Sequence, residues 1–310
     1  MNIVMNDQIQ KIEESGIAWE NIVAPTEKSM EYLAKKHKFH HLDLEDCLSR
    51  RQRPKIDEYD KYLFIVLQFP YFDKKSGDLK IDDIKIFIGQ SFVITVHPGN
   101  KTLNTIFTDI KRKTKLRKKY MGQTTGYLLY NILDDMFSEC FKLYEKLNEE
   151  IVDIEEQVFN VKDTRDMLNS ILSIKKDIIT YRRIIIPQRT LVAQLEHKNK
   201  KFLPDTLEVY FDDIVDKVEK LHLLLATSWD VIGSIHETNE SIVSHNTNNI
   251  IKVLTIISVV MMPLTFITGL YGMNVDLPVA EHPWAFLLIL GILAGIVITM
   301  VVFFRHKKWM

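Results

Sequence analysis

The chain has 310 residues, enough for one ordinary soluble domain and further elements. Charged residues make up 26% of it and the formal net charge is -1, which excludes a globally basic nucleic-acid binder. The two cysteines, Cys47 and Cys140, stand far apart in charged surroundings, which excludes a disulfide framework or a CxxC metal site and fits two reduced thiols.

The opening stretch MNIVMNDQIQKIEESG has no basic region followed by a long apolar run, so no signal peptide is expected. Residues 27–36 and 43–48 read as helices. Residues 63–72 and 84–98 are rich in β-branched and aromatic side chains and are punctuated by turn signals at 75–78 and 89–90, so they read as strands. Residues 1–115 are expected to form a cytoplasmic α/β domain. Seven bases in nine residues, 111–119, read as a solvated connector or a face toward anionic lipid, with nucleic acid a weaker option.

Strand signals stop beyond Thr124. Leu128, Leu129, Ile132, Met136, Phe137, Leu143, Leu147, Ile151, Ile154 and Val158 recur at helical spacing, predicting a helix over 127–161. Residues 131–160 hold nine acids against two lysines, which reads either as a solvated face or as a surface that concentrates cations. A second helix is expected from Asp163 or Thr164 to about Leu195, and a third from near Leu207. With no proline before Pro263, the third can run on to Tyr271, about 65 residues and roughly 100 Å. Residues 116–250 are thus expected to be a helical stalk.

From Val253 to Phe304 there is no lysine or arginine, and the only acids are Asp276 and Glu281. Residues 253–271 and 284–304 each match the roughly 20 residues that cross a bilayer core, so residues 251–310 read as a transmembrane region. The other reading is a buried soluble hairpin. Lys252 precedes the first span and Arg305, His306, Lys307 and Lys308 follow the second, while the connecting loop carries no base. The positive-inside rule then places both termini in the cytoplasm of a multi-pass protein of the cell membrane. Trp284 and Trp309 sit at the two ends of the second span, where interfacial rings are favoured.

The first span carries a stripe. Asn248, Ile251, Leu254 or Thr255, Ser258, Met262, Thr265, Gly269 and Gly272 fall at steps of three or four, on one helical face. Either this face lines an interior while the second span meets lipid, or the hydroxyls simply bond their own helix carbonyls. Two helices cannot enclose a pathway, so a pore requires a closed ring of identical copies. The stripe is neutral and suits outer-sphere contact with a cation that keeps its water, as Mg²⁺ does. Asp276 and Glu281 would draw cations to the entrance.

Tyr271-Gly272-Met273-Asn274, ending the first of two C-terminal spans, resembles the signature of the CorA family of magnesium transport proteins. KVLTIISVVMMPLTFITGLYGMN (252–274), the basic ending RHKKWM and HHLDLEDCLSRRQRPKIDEYDKYLFIVL (40–67) also resemble the family, so the likeness covers nearly the whole chain. It implies a funnel-shaped homopentamer in which a cytoplasmic α/β/α domain leads through long stalk helices to two C-terminal transmembrane helices. It implies an ion entrance at Gly272, Met273 and Asn274. It also implies hydrophobic gates at Met262 and Leu254, with an apolar constriction at Ile251, polar lining at Thr265 and Ser258, and Asn248 near the cytoplasmic mouth. Regulatory Mg²⁺ would bind between subunits at Asp46, with Glu45 beside it, and Asp213, with Asp216 a turn later. Asp82 and Asp83 are further acids with no family counterpart.

The expected activity is a gated channel importing hydrated Mg²⁺, with Co²⁺ and Ni²⁺ as further cargo, driven by membrane potential and closed by cytoplasmic Mg²⁺. No GxxxxGK[ST] motif is present to suggest ATP drive, and no nucleophile–base arrangement suggests an enzyme. Two other readings stand beside it: a zinc carrier sharing the Gly-Met-Asn ending, and a membrane-anchored protein with a stalk and no pore.

Overall fold

A computed structural model describes residues 8–49, 52–73, 77–159, 164–197, 202–275 and 282–309. The chain divides into two compact units, one up to His236 and one from Glu237 onward.

The first unit is built on a sheet of six strands: β1 (Ile9–Glu14), β2 (Ile17–Val23), β3 (Lys55–Glu58), β4 (Leu63–Phe72), β5 (Leu79–Ile88) and β6 (Phe92–His97). Their order is β1-β2-β6-β5-β4-β3. Only β2 and β6 run parallel among these neighbours. Strand β4 has the bounds expected from sequence. The stretch 84–98 proves to be two strands, the first starting earlier, at Leu79. Gly89 opens the turn between them, where an added Cβ would lie 2.4 Å from the Phe92 ring.

Strands β1, β2 and β3 were not expected from the sequence. The first two are joined by Ser15 and Gly16, with φ of 49° and 79°, the pair of positive values that matches a two-residue hairpin turn to strand twist. Their apolar pattern is masked by polar residues that are nevertheless buried. Glu20 is 1% exposed and pairs with Lys36, and Asn21 is 1% exposed within a polar network.

Two helices, α1 (Glu27–His37) and α2 (His41–Leu48), cover one face of the sheet. A capping box between Thr26 and Ser29 starts α1, and Lys38 in the left-handed region ends it. Met30, Leu33, Phe39 and Leu44 pack with Phe64, Val66, Phe87 and Ile94 from alternate sheet positions. Phe39 and Phe87 stack with ring centroids 4.2 Å apart.

The opposite face meets α3 (Lys101–Arg112), α5 (Thr125–Gln157) and α6 (Thr164–His197). Trp19 meets Phe107 edge-on at 4.9 Å, and Phe69 meets Phe137 at 5.2 Å. Strand β3 pairs only with residues 63–66 of β4, and further along β4 the Gln68 backbone N–H is taken by buried Gln188 of α6, at 3.2 Å. The expected three-layer arrangement of helices around a sheet is therefore present.

The basic run at 111–119 is not a connector. It ends α3 and supplies most of α4 (Thr114–Met121). The Arg117 guanidinium donates to the carbonyls of Ile110 and Lys111, at 3.4 and 3.0 Å, and so caps the end of α3. The expected helices over 127–161 and from 164 onward correspond to α5 and α6. A short 3₁₀ turn at Asp205–Leu207 then leads into α7 (Glu208–Tyr271), 64 residues without interruption, and α8 (Ala285–His306) completes the chain.

The buried polar network joins β2, β6 and the start of α3. His97 Nδ1 accepts the backbone N–H groups of Asn100 and Gly99 at 2.8 and 3.2 Å, so its proton resides on Nε2 and is donated to Asn21 Oδ1 at 3.1 Å. Thr95 also donates to Asn21 Oδ1, at 2.7 Å, and Trp19 donates to Thr95, at 3.1 Å. Burial lowers the His97 pKa from 6.5 to about 4. Between those values the unfolded chain binds a proton that the folded chain excludes. His97 therefore stabilises the fold above pH 6.5, and that contribution disappears as the pH falls toward 4. The amount is about 3 kcal/mol at most. His97→Gln is expected to remove this part of the pH dependence, read from denaturant unfolding of the full chain in detergent micelles. An unaltered profile would exclude His97 as its source.

Candidate functional site

The last third of α7 and all of α8 are long and apolar enough to cross a bilayer, and their apolar windows are almost wholly exposed within the chain. A buried soluble hairpin would show the reverse. The first span ends at Tyr271 as expected, and the second extends two residues beyond 304, to His306.

Along α7 the less exposed positions are Lys252, Ile256, Val260, Pro263, Leu264 and Ile267. Their spacing marks one face, and the matching shielded face of α8 runs through Ala285, Ile289, Leu293, Ile296, Met300 and Phe304. Lys252 Nζ donates to the Lys308 carbonyl at 3.2 Å, tying the two helices at one end. The stripe foreseen from sequence lies elsewhere on α7. At about 100° per residue, Ile251, Leu254, Ser258, Met262, Thr265, Gly269 and Gly272 sit roughly 160–240° around the helix from Ile256. Leu254 and Met262 are 63% and 76% exposed, against 8% for Ile256. Asn248, a turn before the stripe, is also exposed. Two unlike faces on one apolar helix are thus separated: one shielded, one left open.

The hydroxyls on this helix do bond their own backbone. Thr255 donates to the Ile251 carbonyl at 2.8 Å, Thr265 to Met261 at 2.9 Å and Thr268 to Leu264 at 2.9 Å. The back-bonding alternative is correct as geometry, and it has a consequence for chemistry. A hydroxyl whose hydrogen is committed inward presents only oxygen lone pairs outward. Pro263 adds another acceptor, because it has no N–H to offer the Val259 carbonyl one turn earlier.

The helix closes with Gly272 N–H on the Thr268 carbonyl at 2.9 Å and Met273 N–H on Leu270 at 3.2 Å, which leaves Met273 and Asn274 exposed just beyond it. A Cβ at Gly272 would stand 3.1 Å from the Thr268 oxygen, a close approach that favours glycine. Asp276 and Glu281 lie outside the described residues.

The regulatory acids foreseen in the first unit are at the surface. Glu45 is exposed on α2. Asp46, half-buried beside it, accepts from Gln52 Nε2 at 2.7 Å and pairs with Lys55 at 2.8 Å. Asp213 and Asp216 are exposed on α7, and Asp213 pairs with Lys217 at 2.9 Å. Lys217 also bonds Asp134 of α5. Among the described residues of one chain, no cluster of three or more His, Cys, Asp or Glu could hold a metal.

Other acids prove structural. Asp43, three residues before Asp46, is buried and accepts from Tyr59 and Tyr62 at 3.0 and 2.8 Å, while burial raises its pKa. Asp83 is buried, accepting from the Gln52 backbone at 2.6 Å and from Gln68, and Asp82 accepts from Asn100 at 3.1 Å. Sequence reasoning passed over Lys55 and Lys217. The second carried a signal, standing four residues after Asp213 on a helix.

A family model described as CorA-like Mg²⁺ transporter protein matches residues 14–307. A putative metal ion transporter of Bacillus subtilis, YfjQ, is 30% identical over 317 residues, covering 99% of this chain and 95% of that protein. The cobalt/magnesium transport protein CorA of Thermotoga maritima is 29% identical over 273 residues, covering 87% of this chain and 77% of that one. The complete structure of the CorA magnesium transporter from Methanocaldococcus jannaschii superposes with a TM-score of 0.85, covering 96% of this chain and 93% of that one at 23% identity, a likeness of fold.

The division of faces on α7 is testable by thiol chemistry, because the native Cys47 and Cys140 are both buried. In membranes, Ser258→Cys and Thr265→Cys are expected to react with a charged aqueous thiol reagent, and Ile256→Cys and Val260→Cys to stay protected. Equal reactivity on the two faces would remove the stripe as a wetted surface.

Proposed function

From the premise that this chain belongs to the CorA-like Mg²⁺ transporter family, whose members are transport proteins and not enzymes, we propose that it is a gated channel importing hydrated Mg²⁺, with Co²⁺ and Ni²⁺ as further cargo. In this reading several copies, five by family resemblance, close a ring in the cell membrane with α7 inward and α8 toward lipid. Both termini lie in the cytoplasm, on the side of the flanking bases.

The observation that carries the reading is the neutral, acceptor-bearing face of α7 opposite its α8 seam. Mg²⁺ holds its water tightly and prefers to keep it. The outer surface of a hexahydrated cation is a shell of O–H donors. Thr265, with its own hydrogen committed to Met261, offers that shell only lone pairs. Ser258 and the exposed backbone at Gly269 add further polar surface at intervals. An anion would find no positive charge in such a lining, and a bare cation no negative charge to repay its lost water. Met262, Leu254 and Ile251 form apolar girdles between the polar levels, where a narrowed ring excludes water and closes the path.

At the outer end, Asn274 carbonyl oxygens from each copy, with the Gly272 backbone and Met273, would receive the hydrated ion. Asp276 and Glu281 would concentrate cations there, and Asn248 would line the exit. An inward charge gains about 2.3 kcal/mol per 100 mV, so a divalent cation gains about twice that without a further energy source.

Regulation is assigned to Asp46 with Glu45 on one subunit and Asp213 with Asp216 on the next. These are hard oxygen donors suited to Mg²⁺, and in this reading each subunit supplies only part of the set. Bound cytoplasmic Mg²⁺ would join the subunits and its loss would let like charges part them. Asp213 and the pathway residues share α7, which provides a direct mechanical link.

The test is divalent flux into liposomes containing the purified full chain. Asn274→Ala is expected to abolish selective Mg²⁺ entry while the ring stays assembled. Absence of divalent flux in the parent, or an Asn274→Ala variant transporting as the parent does, overturns the channel reading. Faster Zn²⁺ flux that depends on a pH gradient overturns the assignment of Mg²⁺.

A further inference from the structure

The two acids assigned to regulation already hold positive charge. Lys55 of β3 bonds Asp46 at 2.8 Å and Asp57 at 2.5 Å. Lys217, one turn along α7 from Asp213, bonds Asp213 at 2.9 Å and also Asp134 of α5. The same arrangement occurs twice: one ammonium between two carboxylates, of which only one belongs to the proposed sensor. An ordinary lysine is charged throughout the physiological range, so each trio brings a positive charge to its carboxylates.

Resting on the reading of Asp46 and Asp213 as the sensor, we infer that Lys55 and Lys217 are tethered counter-cations that compete with Mg²⁺ for these carboxylates and raise the Mg²⁺ concentration needed to occupy the site. A divalent ion arriving at Asp213 meets an ammonium in contact with the same oxygens, and the two positive charges repel. The second carboxylate of each trio resolves the conflict. Lys217 shifts onto Asp134, and Lys55 onto Asp57, so the displaced ammonium remains paired. The side chains are 20–52% exposed, open enough for this exchange to proceed without unpacking the core. The site thus carries its own internal reference cation, and its set point depends on how strongly Asp134 and Asp57 retain the lysines.

A purely structural tie between α5 and α7 makes a different prediction from a competitor. If Lys217 only braces the helices, Lys217→Gln and Asp134→Asn loosen the same bond and move the Mg²⁺ response in the same direction. If it competes, Lys217→Gln frees Asp213 and lowers the half-saturating Mg²⁺ concentration, whereas Asp134→Asn confines Lys217 to Asp213 and raises it. Each shift is about two- to fivefold, the range for ion pairs at this exposure. The measurement is an Mg²⁺ titration of the thermal unfolding midpoint of the full chain in detergent, paired with Mg²⁺ inhibition of flux in liposomes. Opposite shifts support the inference. Shifts of the same sign overturn it, as do two unmoved midpoints alongside an Asp213→Ala variant that loses the Mg²⁺ response. An Asp46→Ala/Asp213→Ala double variant that keeps the full response overturns the sensor reading itself.

Discussion

The bilayer core offers backbone groups no partners and charges no solvation, and this constraint governs the form of the two C-terminal apolar helices. A segment that crosses it must satisfy its amides internally, which a helix does and an isolated strand does not. The 64 residues of α7 meet this demand without a break, apart from the one bond that Pro263 cannot make. The same constraint explains why the span bears hydroxyls but no charge. A neutral polar face is tolerable beside lipid-like residues, and a row of carboxylates would not be.

Packing then differentiates a helix that composition treats as nearly uniform. Ile256, Val260 and Leu264 lie on a shielded face, and the opposite face remains open. Back-bonding of Thr265 and its neighbours is commonly a reason to dismiss hydroxyls in apolar helices. Here it settles their polarity, because a committed hydrogen leaves oxygen as the outward group. An oxygen-lined neutral surface and a cation wearing its water are complementary without dehydration.

The first unit follows another logic, in which buried polar groups serve structure while other acids remain partly or fully exposed. Asp43, Asp82 and Asp83 are drawn into hydrogen bonds that hold α2, β5 and α3 in register, as Asn21 and His97 hold β2 to β6. Asp46 and Asp213 instead stand where another molecule can reach them, each leashed to a lysine. Three acids within the four residues Asp43 to Asp46 thus have different fates. Their positions on α2 decide it: Asp43 faces the sheet and its tyrosines, while Glu45 and Asp46 face out.

Long-range periodicity and an absence of charge are properties of local chain, and the sequence alone determined what rests on them. The two spans, the reach of α7, the bounds of β4, the stripe and the Gly-Met-Asn ending were all legible. Only the tertiary structure decided the rest. Strands β1 and β2 carry polar residues, glutamates among them, that look like loop until Glu20 finds Lys36 and Asn21 finds Thr95 and His97 across the sheet. The basic run is no loose connector, because Arg117 reaches back to the Ile110 and Lys111 carbonyls at the end of α3. The lysines beside Asp46 and Asp213 took on meaning from three-dimensional neighbours, Asp134 lying 83 residues from Lys217 along the chain. A sequence displays which groups are present. Whether a given charge is free, buried or already neutralised depends on partners that only folding brings within hydrogen-bonding distance.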